Sequence, residues 1–516
     1  MKKQTGLQNH IVMIAGMILF IISSIILAFL TYESAKGSYY PSTEYSMYNW
    51  SVSTADSIAK NALYCVVGIA VFVFFSIFFQ NNPKFSKKAG NIILPALYLI
   101  YFIAGIIFVL KSPYYPSSDQ IITSGGATYI IEGNYSMFDP HGYIGAYPFQ
   151  KSLIFYFEML FRLFGSPNYT AVKIITVILN TMTLIMGSLL VRDLDGSLTA
   201  SVIYTVLTTA FLPVFYLLPF VYGDLPSLFG TMLLVYSFNL YLKTGKKFQL
   251  VAACLGSVFA VATRSTAWIA LIAMIIVTLI ISIKEKNYVP VVSMGIIALI
   301  SALSVTAIAI RYENLSGYDR HTGIPREAWI AMGMMESDGL SGVYNHYPWL
   351  VYDKNGSDTE KTSAEVHAYL DGRLLEFKSN PSMAKDFYRR KLDYQWTEPL
   401  FEVTTHTHSF TEDTVITGFF ESLYYGKVHD ISFKFMNRYQ TFLYLICLIF
   451  AVKYLWTMIR KRSCPGVYAW FFYVHFVGGV ALSLLWEAKA RYTIPYIIFL
   501  IPVIALFFDK NKKAGI

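Results

Sequence analysis

The side chains with the clearest chemical potential are charged residues next to long apolar stretches. Asp119 stands nine residues beyond a long apolar run, while Asp224 and Arg264 each interrupt a further apolar stretch. Charge at membrane depth is energetically costly and is usually paired or functional. Because a carboxylate can take a proton from a hydroxyl group and a guanidinium can hold a phosphate, these residues predict acid–base and anion-binding chemistry.

A second charged group lies near the C-terminus, where Glu487, Lys489 and Arg491 share one short turn between two apolar runs. Arg can bind a phosphate or diphosphate through a bidentate fork, and Lys as a point charge. An anionic lipid headgroup would satisfy the same cations. Two simpler interpretations also stay open: Asp224 can lie in a solvated turn that favours the helix dipole, and Arg264 can extend towards lipid headgroups.

The elements that must position these residues are membrane-spanning helices. Of the 516 residues, 55% are apolar and 14% are charged. An apolar helix of about 20 residues crosses a hydrocarbon core of roughly 30 Å, and isolated strands cannot satisfy their backbone groups in lipid. The sequence therefore predicts an all-α polytopic membrane protein with about twelve spans, at residues 10–30, 61–80, 92–110, 170–191, 198–217, 225–243, 248–265, 266–283, 288–310, 439–458, 466–486 and 492–508.

The basic residues of the short loops predict the orientation of this bundle, because cytoplasmic loops collect Lys and Arg. All of these basic loops fall on one side of the twelve-helix arrangement. Both termini are then cytoplasmic, the first span is a retained anchor, and the unusual charges named above share the outer face of a cell membrane. The basic residues are Lys2, Lys3, Lys84, Lys87, Lys88, Lys243, Lys246, Lys247, Lys284, Lys286, Arg460, Lys461, Arg462, Lys510, Lys512 and Lys513.

Two outer segments, residues 111–169 and 311–438, are too long to be simple connectors. In the first, apolar residues at helical spacing from 149 to 164 predict an amphipathic helix lying along the membrane surface. The second holds 19 of the 32 acidic residues but only 14 of the 41 basic ones, and we expect a mixed extracytoplasmic domain there. The predicted divisions are a two-helix segment (1–91), a core with the first outer loop (92–310), the outer domain (311–438) and a three-helix segment (439–516).

Cysteine usage and motifs argue against several classes of protein. The four cysteines lie in predicted spans or an inner loop, so we expect no disulfide in the outer domain. The sequence contains no CxxC pair, Cys/His cluster or P-loop, and therefore gives no support for a zinc site or a nucleotide-driven motor. His406 and His408 stand two residues apart without a further ligand nearby. We expect no metal, no cofactor and no nucleic-acid partner.

Taken in order, these features resemble the GT-C glycosyltransferases. The likeness is strongest to bacterial members of the glycosyltransferase family 39 type, relatives of protein O-mannosyltransferases and of lipid A aminoarabinose transferases. It covers most of the chain from about residue 92 onward. It is carried by Asp119, the Ala-x-x-x-x-x-Gly-Asn-Tyr stretch at 127–135, Tyr147-Pro148, Phe164-Gly165, Tyr222-Gly223-Asp224 and Glu487-Ala488-Lys489-Ala490-Arg491-Tyr492.

The resemblance implies a transferase that moves a sugar from a polyprenyl-phosphate carrier to an extracytoplasmic acceptor, which would be a cell-wall polymer, a glycolipid or a protein. In that family the Asp of the first large outer loop is the catalytic base, and here that residue is Asp119. The family often has Asp-Glu at this place. Gln120 follows Asp119 in this chain, so Glu132 and Asp139 are the candidates for a second carboxylate.

The chemistry of such a transfer indicates where the substrates would bind. Arg264, Lys489 and Arg491 would hold the donor phosphate, and fixed cations of this kind can replace a divalent metal ion. The outer domain would cover the substrate. The further residues expected to contact it are Asp224, Tyr222, Glu487, Arg320 and His321.

Other interpretations remain in competition with this one. Trp329, Trp349 and Trp396 could stack on sugars, although rings of this kind more often belong to a domain core. A transporter or lipid flippase would also have about twelve spans, but internal repeats and midplane charges in broken helices would be expected, and the sequence displays neither. A non-catalytic cell-envelope assembly protein could carry the same outer domain without a base.

Overall fold

The chain folds as an all-α polytopic membrane protein. A computed structural model of the protein describes residues 6–41, 51–194, 196–337, 339–462, 464 and 466–508. In this part of the chain, ten helices are long and apolar enough to cross a membrane, and two shorter apolar helices span Leu198–Ala210 and Phe248–Thr263. Lys2, Lys3, Lys510, Lys512 and Lys513, which contribute to the predicted orientation, lie outside the described residues.

The N-terminal part consists of long helices and one hairpin. Its elements are α1 Gly6–Lys36, β1 Gly37–Pro41, β2 Ser51–Ala55, α2 Ile58–Asn81, α3 Pro83–Lys88, a π-helical turn Ala89–Ile93 and α4 Leu94–Lys111. Strands β1 and β2 pair antiparallel, with Gly37 opposite Ala55. The first outer segment is helical, with α5 Ser118–Ile131, the 3-10 turn Ser136–Phe138, α6 Tyr143–Ala146, the 3-10 turn Pro148–Gln150 and α7 Lys151–Phe164.

The central part contains the helices that lead to the charged residues. They are α8 Tyr169–Asp193, α9 Leu198–Ala210, α10 Leu212–Tyr216, α11 Asp224–Thr244, α12 Phe248–Thr263, the 3-10 turn Ser265–Ala267, α13 Trp268–Glu285 and α14 Val289–Ser316. The predicted span 198–217 is interrupted at Phe211, because Pro213 lacks the N–H that would continue the helix.

The segment predicted as a mixed domain is mainly helical in its described residues, with irregular stretches between the helices. It contains α15 Glu327–Met332, α16 Tyr347–Lys354, α17 Thr359–Ser379, α18 Pro381–Thr397, α19 Val403–His406 and α20 Gly418–Tyr425, with one hairpin of β3 Glu336–Ser337 and β4 Leu340–Ser341. The C-terminal part follows with α21 Lys427–Lys461, the 3-10 turn Val467–Ala469, α22 Trp470–Leu485, the 3-10 turn Ala490–Thr493, α23 Ile494–Ile498 and α24 Ile501–Phe508.

Helices α11 and α12 pack with their backbones almost in contact. A Cβ atom on Gly230 would lie 2.7 Å from the carbonyl oxygen of Gly256, and one on Gly256 would lie 2.8 Å from that of Gly230. Small residues at a helix interface permit this close approach inside a membrane. At the end of the same interface, a Cβ on Gly223 would lie only 1.9 Å from the Thr263 carbonyl oxygen. The pairing therefore brings the start of α11 against the end of α12.

Helix α7 forms where the sequence predicts an amphipathic helix, but its apolar face packs inside the protein. Leu153, Phe157 and Phe161 are buried, whereas Phe164 at the end of the helix is 52% exposed. Glu158 is also fully buried. Its carboxylate is satisfied by two hydrogen bonds from Arg311, one from Tyr312 and one from Arg162. The helix is thereby fixed to the end of α14, which runs into the 311–438 segment.

Candidate functional site

A buried ionic cluster joins three parts of the chain that are distant in sequence. One carboxylate oxygen of Asp224 accepts a hydrogen bond of 2.8 Å from Arg264 Nη1 and another of 3.0 Å from Arg491 Nη1. The exposed fractions of the three side chains are 10%, 11% and 5%, respectively. The structure thus brings together one acidic and two basic residues that the sequence identifies separately. In the structure Asp224 is not in a solvated turn, and Arg264 is paired within the protein.

Local folding explains why these residues meet. Asp224 is in the first turn of α11 and Arg264 directly follows α12, so the close packing at Gly223 places them side by side. The turn that carries Arg491 is held from the 311–438 segment. The backbone N–H of Ala488 donates to the Gly342 carbonyl at 2.6 Å, and that of Ala490 donates to the Glu402 carboxylate at 3.4 Å.

Aromatic rings line both guanidinium groups. The Arg264 guanidinium lies 5.8 Å from the Tyr222 ring centre and 5.0 Å from that of Tyr492, and the Arg491 guanidinium lies 4.7 Å from the ring of Phe220. Cation–π contacts of this type hold a guanidinium without using its N–H groups. Each arginine commits one terminal nitrogen to Asp224, and Arg491 Nε is buried without a hydrogen-bond partner among the described residues. Both arginines therefore retain donors for an anionic ligand.

Asp119 lies in the first turn of α5 and its side chain is exposed. Its carboxylate accepts a hydrogen bond of 2.9 Å from the Tyr143 hydroxyl. Burial raises the pKa of Tyr222 above its ordinary value, and the charge of Asp119 raises it further. Tyr222 in turn contacts the Arg264 guanidinium and accepts a 2.7 Å hydrogen bond from the Gln150 side chain. Asp119 is therefore an exposed carboxylate within electrostatic reach of the ionic cluster.

Glu487 is the second carboxylate near Asp119. Burial raises the pKa of Glu487, and the charges of Asp119 and Glu402 push it in the same direction against the opposing effect of Lys489. Lys489 Nζ lies 4.0 Å from one Glu487 oxygen. The Tyr492 hydroxyl donates to the other oxygen at 3.3 Å. A raised pKa favours the neutral acid, which would leave the surrounding cations with excess positive charge.

Neither of the two candidates for a second carboxylate in the first outer segment is hydrogen-bonded to Asp119 in the described part of the chain. Glu132 caps the end of α5 opposite to Asp119, and a helix of 14 residues is about 20 Å long. Asp139 is occupied locally, since it accepts a hydrogen bond from the backbone N–H of His141 and its carboxylate lies 3.4 Å from that ring. Glu487 is the carboxylate from another part of the chain whose pKa is affected by the charge of Asp119.

Arg320 and His321 are not brought to the ionic cluster. Arg320 pairs with Glu313 near the end of α14. His321 is exposed, and its backbone N–H donates to Asp319 at 2.8 Å. In the described part of the chain, no hydrogen bond or ion pair joins either side chain to Asp119, Asp224 or the two site arginines.

Sequence reasoning missed the pair formed by Glu402 and His406. The His406 ring nitrogen lies 3.3 Å from a Glu402 oxygen, and the Tyr394 hydroxyl also donates to Glu402. Burial lowers the pKa of His406 to about 3, and the charge of Arg491 contributes in the same direction. The imidazole is therefore neutral beside the cluster. Within the described residues, no group of three or more His, Cys, Asp or Glu residues could hold a metal ion.

The i, i+4 spacing of Glu402 and His406 is the signal that could have indicated this pair, because residues four apart share one face of a helix. Trp396, considered in the sequence as a sugar-stacking residue, is instead fully buried and donates to Ser483.

Comparison with known proteins adds no assignment: no family model matches the chain, and no curated protein matches it. The class defined by the fold is a multi-pass α-helical membrane protein.

Proposed function

We propose that this protein is a membrane glycosyltransferase of the GT-C type, which transfers a sugar from a polyprenyl-phosphate carrier to an extracytoplasmic acceptor. The observation that carries the proposal is the combination of the exposed Asp119 carboxylate with the buried pair of arginines on Asp224. A transferase of this kind needs a base for the acceptor and fixed cations for the departing phosphate.

In the proposed reaction, Asp119 accepts the proton of an acceptor hydroxyl while that oxygen forms a bond to the anomeric carbon. The bond from the anomeric carbon to the phosphate oxygen breaks, and the phosphate leaves with the bonding electrons. Arg264 and Arg491 use their remaining N–H donors for this phosphate, with Lys489 as a further cation. Stabilisation by fixed cations requires little reorganisation, because both arginines are already held by Asp224 and the aromatic rings.

The proposal includes an orientation. The two shorter apolar helices, α9 and α12, would complete a set of twelve spans with the ten long ones. Lys246 follows α11, whereas Asp224 begins it, and a helix of 21 residues is about 31 Å long. Since basic loops stay in the cytoplasm, the site and the 311–438 segment would then face outside. A lipid-linked phosphate at the outer headgroup level would reach the arginines there.

The experiment that tests the proposal is transfer of labelled sugar from a polyprenyl-phosphate carrier in membranes. We expect Asp119→Asn to reduce the rate by roughly a hundredfold to ten-thousandfold, the usual contribution of a general base. Asp139→Asn is the matched control, because Asp139 lies in the same outer segment and pairs locally with His141. Both variants should reach normal levels in the membrane.

Two results would count against the proposal. Full transfer by a well-expressed Asp119→Asn protein would remove Asp119 as the base. If the wild type transfers none of a set of polyprenyl-phosphate hexoses and pentoses but moves the lipid across the bilayer, the protein is a flippase.

A further inference from the structure

A row of aromatic rings begins at Asp119 and continues towards the 311–438 segment. The Tyr143 hydroxyl donates to the Asp119 carboxylate at 2.9 Å. The ring centres of Tyr143 and Tyr147 are 4.7 Å apart, and those of Tyr147 and Trp349 are 6.5 Å apart with planes inclined by 16°. We call Tyr143, Tyr147 and Trp349 the aromatic row. Tyr143, its first member, is thus hydrogen-bonded to Asp119, the proposed base.

The aromatic row rests on a buried support but is itself only half-buried. Trp329 lies beneath Tyr147, with ring centres 6.0 Å apart, and is only 6% exposed. Trp329 stacks in turn on Trp486, the residue before Glu487, at 6.0 Å and 4°. The backbone N–H of Ile324 donates to the Ala146 carbonyl at 2.9 Å and ties the two segments together. The row therefore adjoins the site at two places, through Asp119 and through Trp329 and Trp486.

The chemistry of this surface fits a sugar ring. A pyranose ring has a face of polarised C–H groups and an edge of hydroxyl groups, and the face of an aromatic ring is electron-rich. The row offers three partly exposed aromatic rings, and polar groups stand just before Trp349 in the chain, where the Tyr344 hydroxyl and the His346 ring lie 3.1 Å apart. A lipid tail would be better matched by a continuous apolar groove, without polar atoms at each step.

We infer that the aromatic row is an acceptor subsite that stacks against consecutive sugar rings, so that the acceptor is a glycan chain whose terminal hydroxyl reaches Asp119. This inference rests on the proposed transferase function, because it assigns the acceptor of that reaction. It selects the polymer among the three acceptor classes named above.

The test is binding of hexasaccharides to the purified full-length protein in lipid nanodiscs. The probes are α- and β-linked hexasaccharides of glucose, mannose and N-acetylglucosamine, all of which present the same kind of C–H face. We expect at least one to bind, and Trp349→Ala to weaken that binding by roughly tenfold, as loss of a stacked ring does. Trp349→Phe should recover most of the affinity. Trp456→Ala is the matched control, because Trp456 is 64% exposed and lies on α21, which carries no member of the row.

The outcomes separate this inference from the proposed function. Asp119→Asn should bind the same hexasaccharide as tightly as the wild type, since binding does not need the base. Failure of transfer with intact, Trp349-dependent binding would remove the transferase proposal and leave the glycan subsite. Absence of binding by all probes, or binding unaffected by Trp349→Ala, would overturn the subsite. Binding of a Ser/Thr-rich peptide that depends on Trp349 would overturn it in favour of a protein acceptor.

Discussion

Asp224 holds two arginines in a nearly water-free position, and its replacement by Asn should therefore be unusually costly. Asn keeps the size of the side chain but removes the negative charge that Arg264 and Arg491 share at 2.8 and 3.0 Å. Removing one partner of a buried ion pair costs about 3–5 kcal/mol, because the remaining charge stays buried. Solvent cannot compensate here, since the exposed fractions of the arginine side chains are only 11% and 5%.

The arrangement also predicts an order among the variants. Arg264→Gln leaves Asp224 paired with Arg491, so it should cost only about 1.5–3 kcal/mol, the contribution of one charged hydrogen bond. The double variant Asp224→Asn with Arg491→Gln removes one of the two uncompensated charges and should be more stable than Asp224→Asn alone. The double variant thus tests coupling between the two sites.

Thermal unfolding of the purified protein in detergent measures these differences. For a chain of 516 residues, an unfolding entropy of about 2.1 cal/mol/K per residue converts a loss of about 3–5 kcal/mol into a fall of roughly 3–5 °C in Tm. Asp193→Asn is a suitable control, because Asp193 ends α8 and is not part of the cluster. An unchanged Tm for Asp224→Asn, or a double variant as unstable as the sum of its single changes, would refute the paired arrangement.

Two further predictions concern pH and topology. Burial lowers the pKa of Lys391 to about 7. Above that pH the unfolded chain binds more protons than the folded protein, so the free energy of unfolding should rise with pH. Relative to Lys391→Met, the wild type should gain about 2 kcal/mol between pH 7 and 9, and parallel melting profiles of the two proteins would contradict this. In a cysteine-free background, Ser379→Cys should react with an impermeant thiol reagent in intact cells and Lys246→Cys only after permeabilisation. The reverse pattern would turn the site towards the cytoplasm.

The helices were predictable because their physical signal is local. Every predicted span overlaps an apolar helix, and the interruption of the span 198–217 follows from Pro213. Hydropathy and the chemistry of proline act within a few residues, so they can be read along the chain. The packing of the apolar face of α7 inside the protein was not predictable in this way. Its Glu158 is satisfied mainly by Arg311, 153 residues further on, and the spacing of apolar residues cannot distinguish a lipid surface from a protein interior.

The candidate site was predictable in its residue types and not in its pairings. Charges at membrane depth drew attention to Asp224 and Arg264, and their contact depends on small residues such as Gly223 that permit close backbone approach. The pair of Glu402 and His406 escaped notice because it lies in a hydrophilic segment, where charged residues are usually solvated. Burial there results from tertiary packing against the turn at Ala490, which no local pattern records.

The different exposure of the site residues agrees with the different demands of the proposed reaction. Groups that keep one charge throughout, such as Arg264 and Arg491, can be buried because both pair with Asp224, and a dry surrounding strengthens their effect on a leaving phosphate. A base must instead exchange its bound water for an acceptor hydroxyl. Asp119 is exposed and can do so directly, whereas the buried Glu487 could not meet an acceptor without rearrangement of the 487–491 turn. Asp119 is for this reason the better assignment of the base, although Glu487 is the carboxylate that lies 4.0 Å from Lys489.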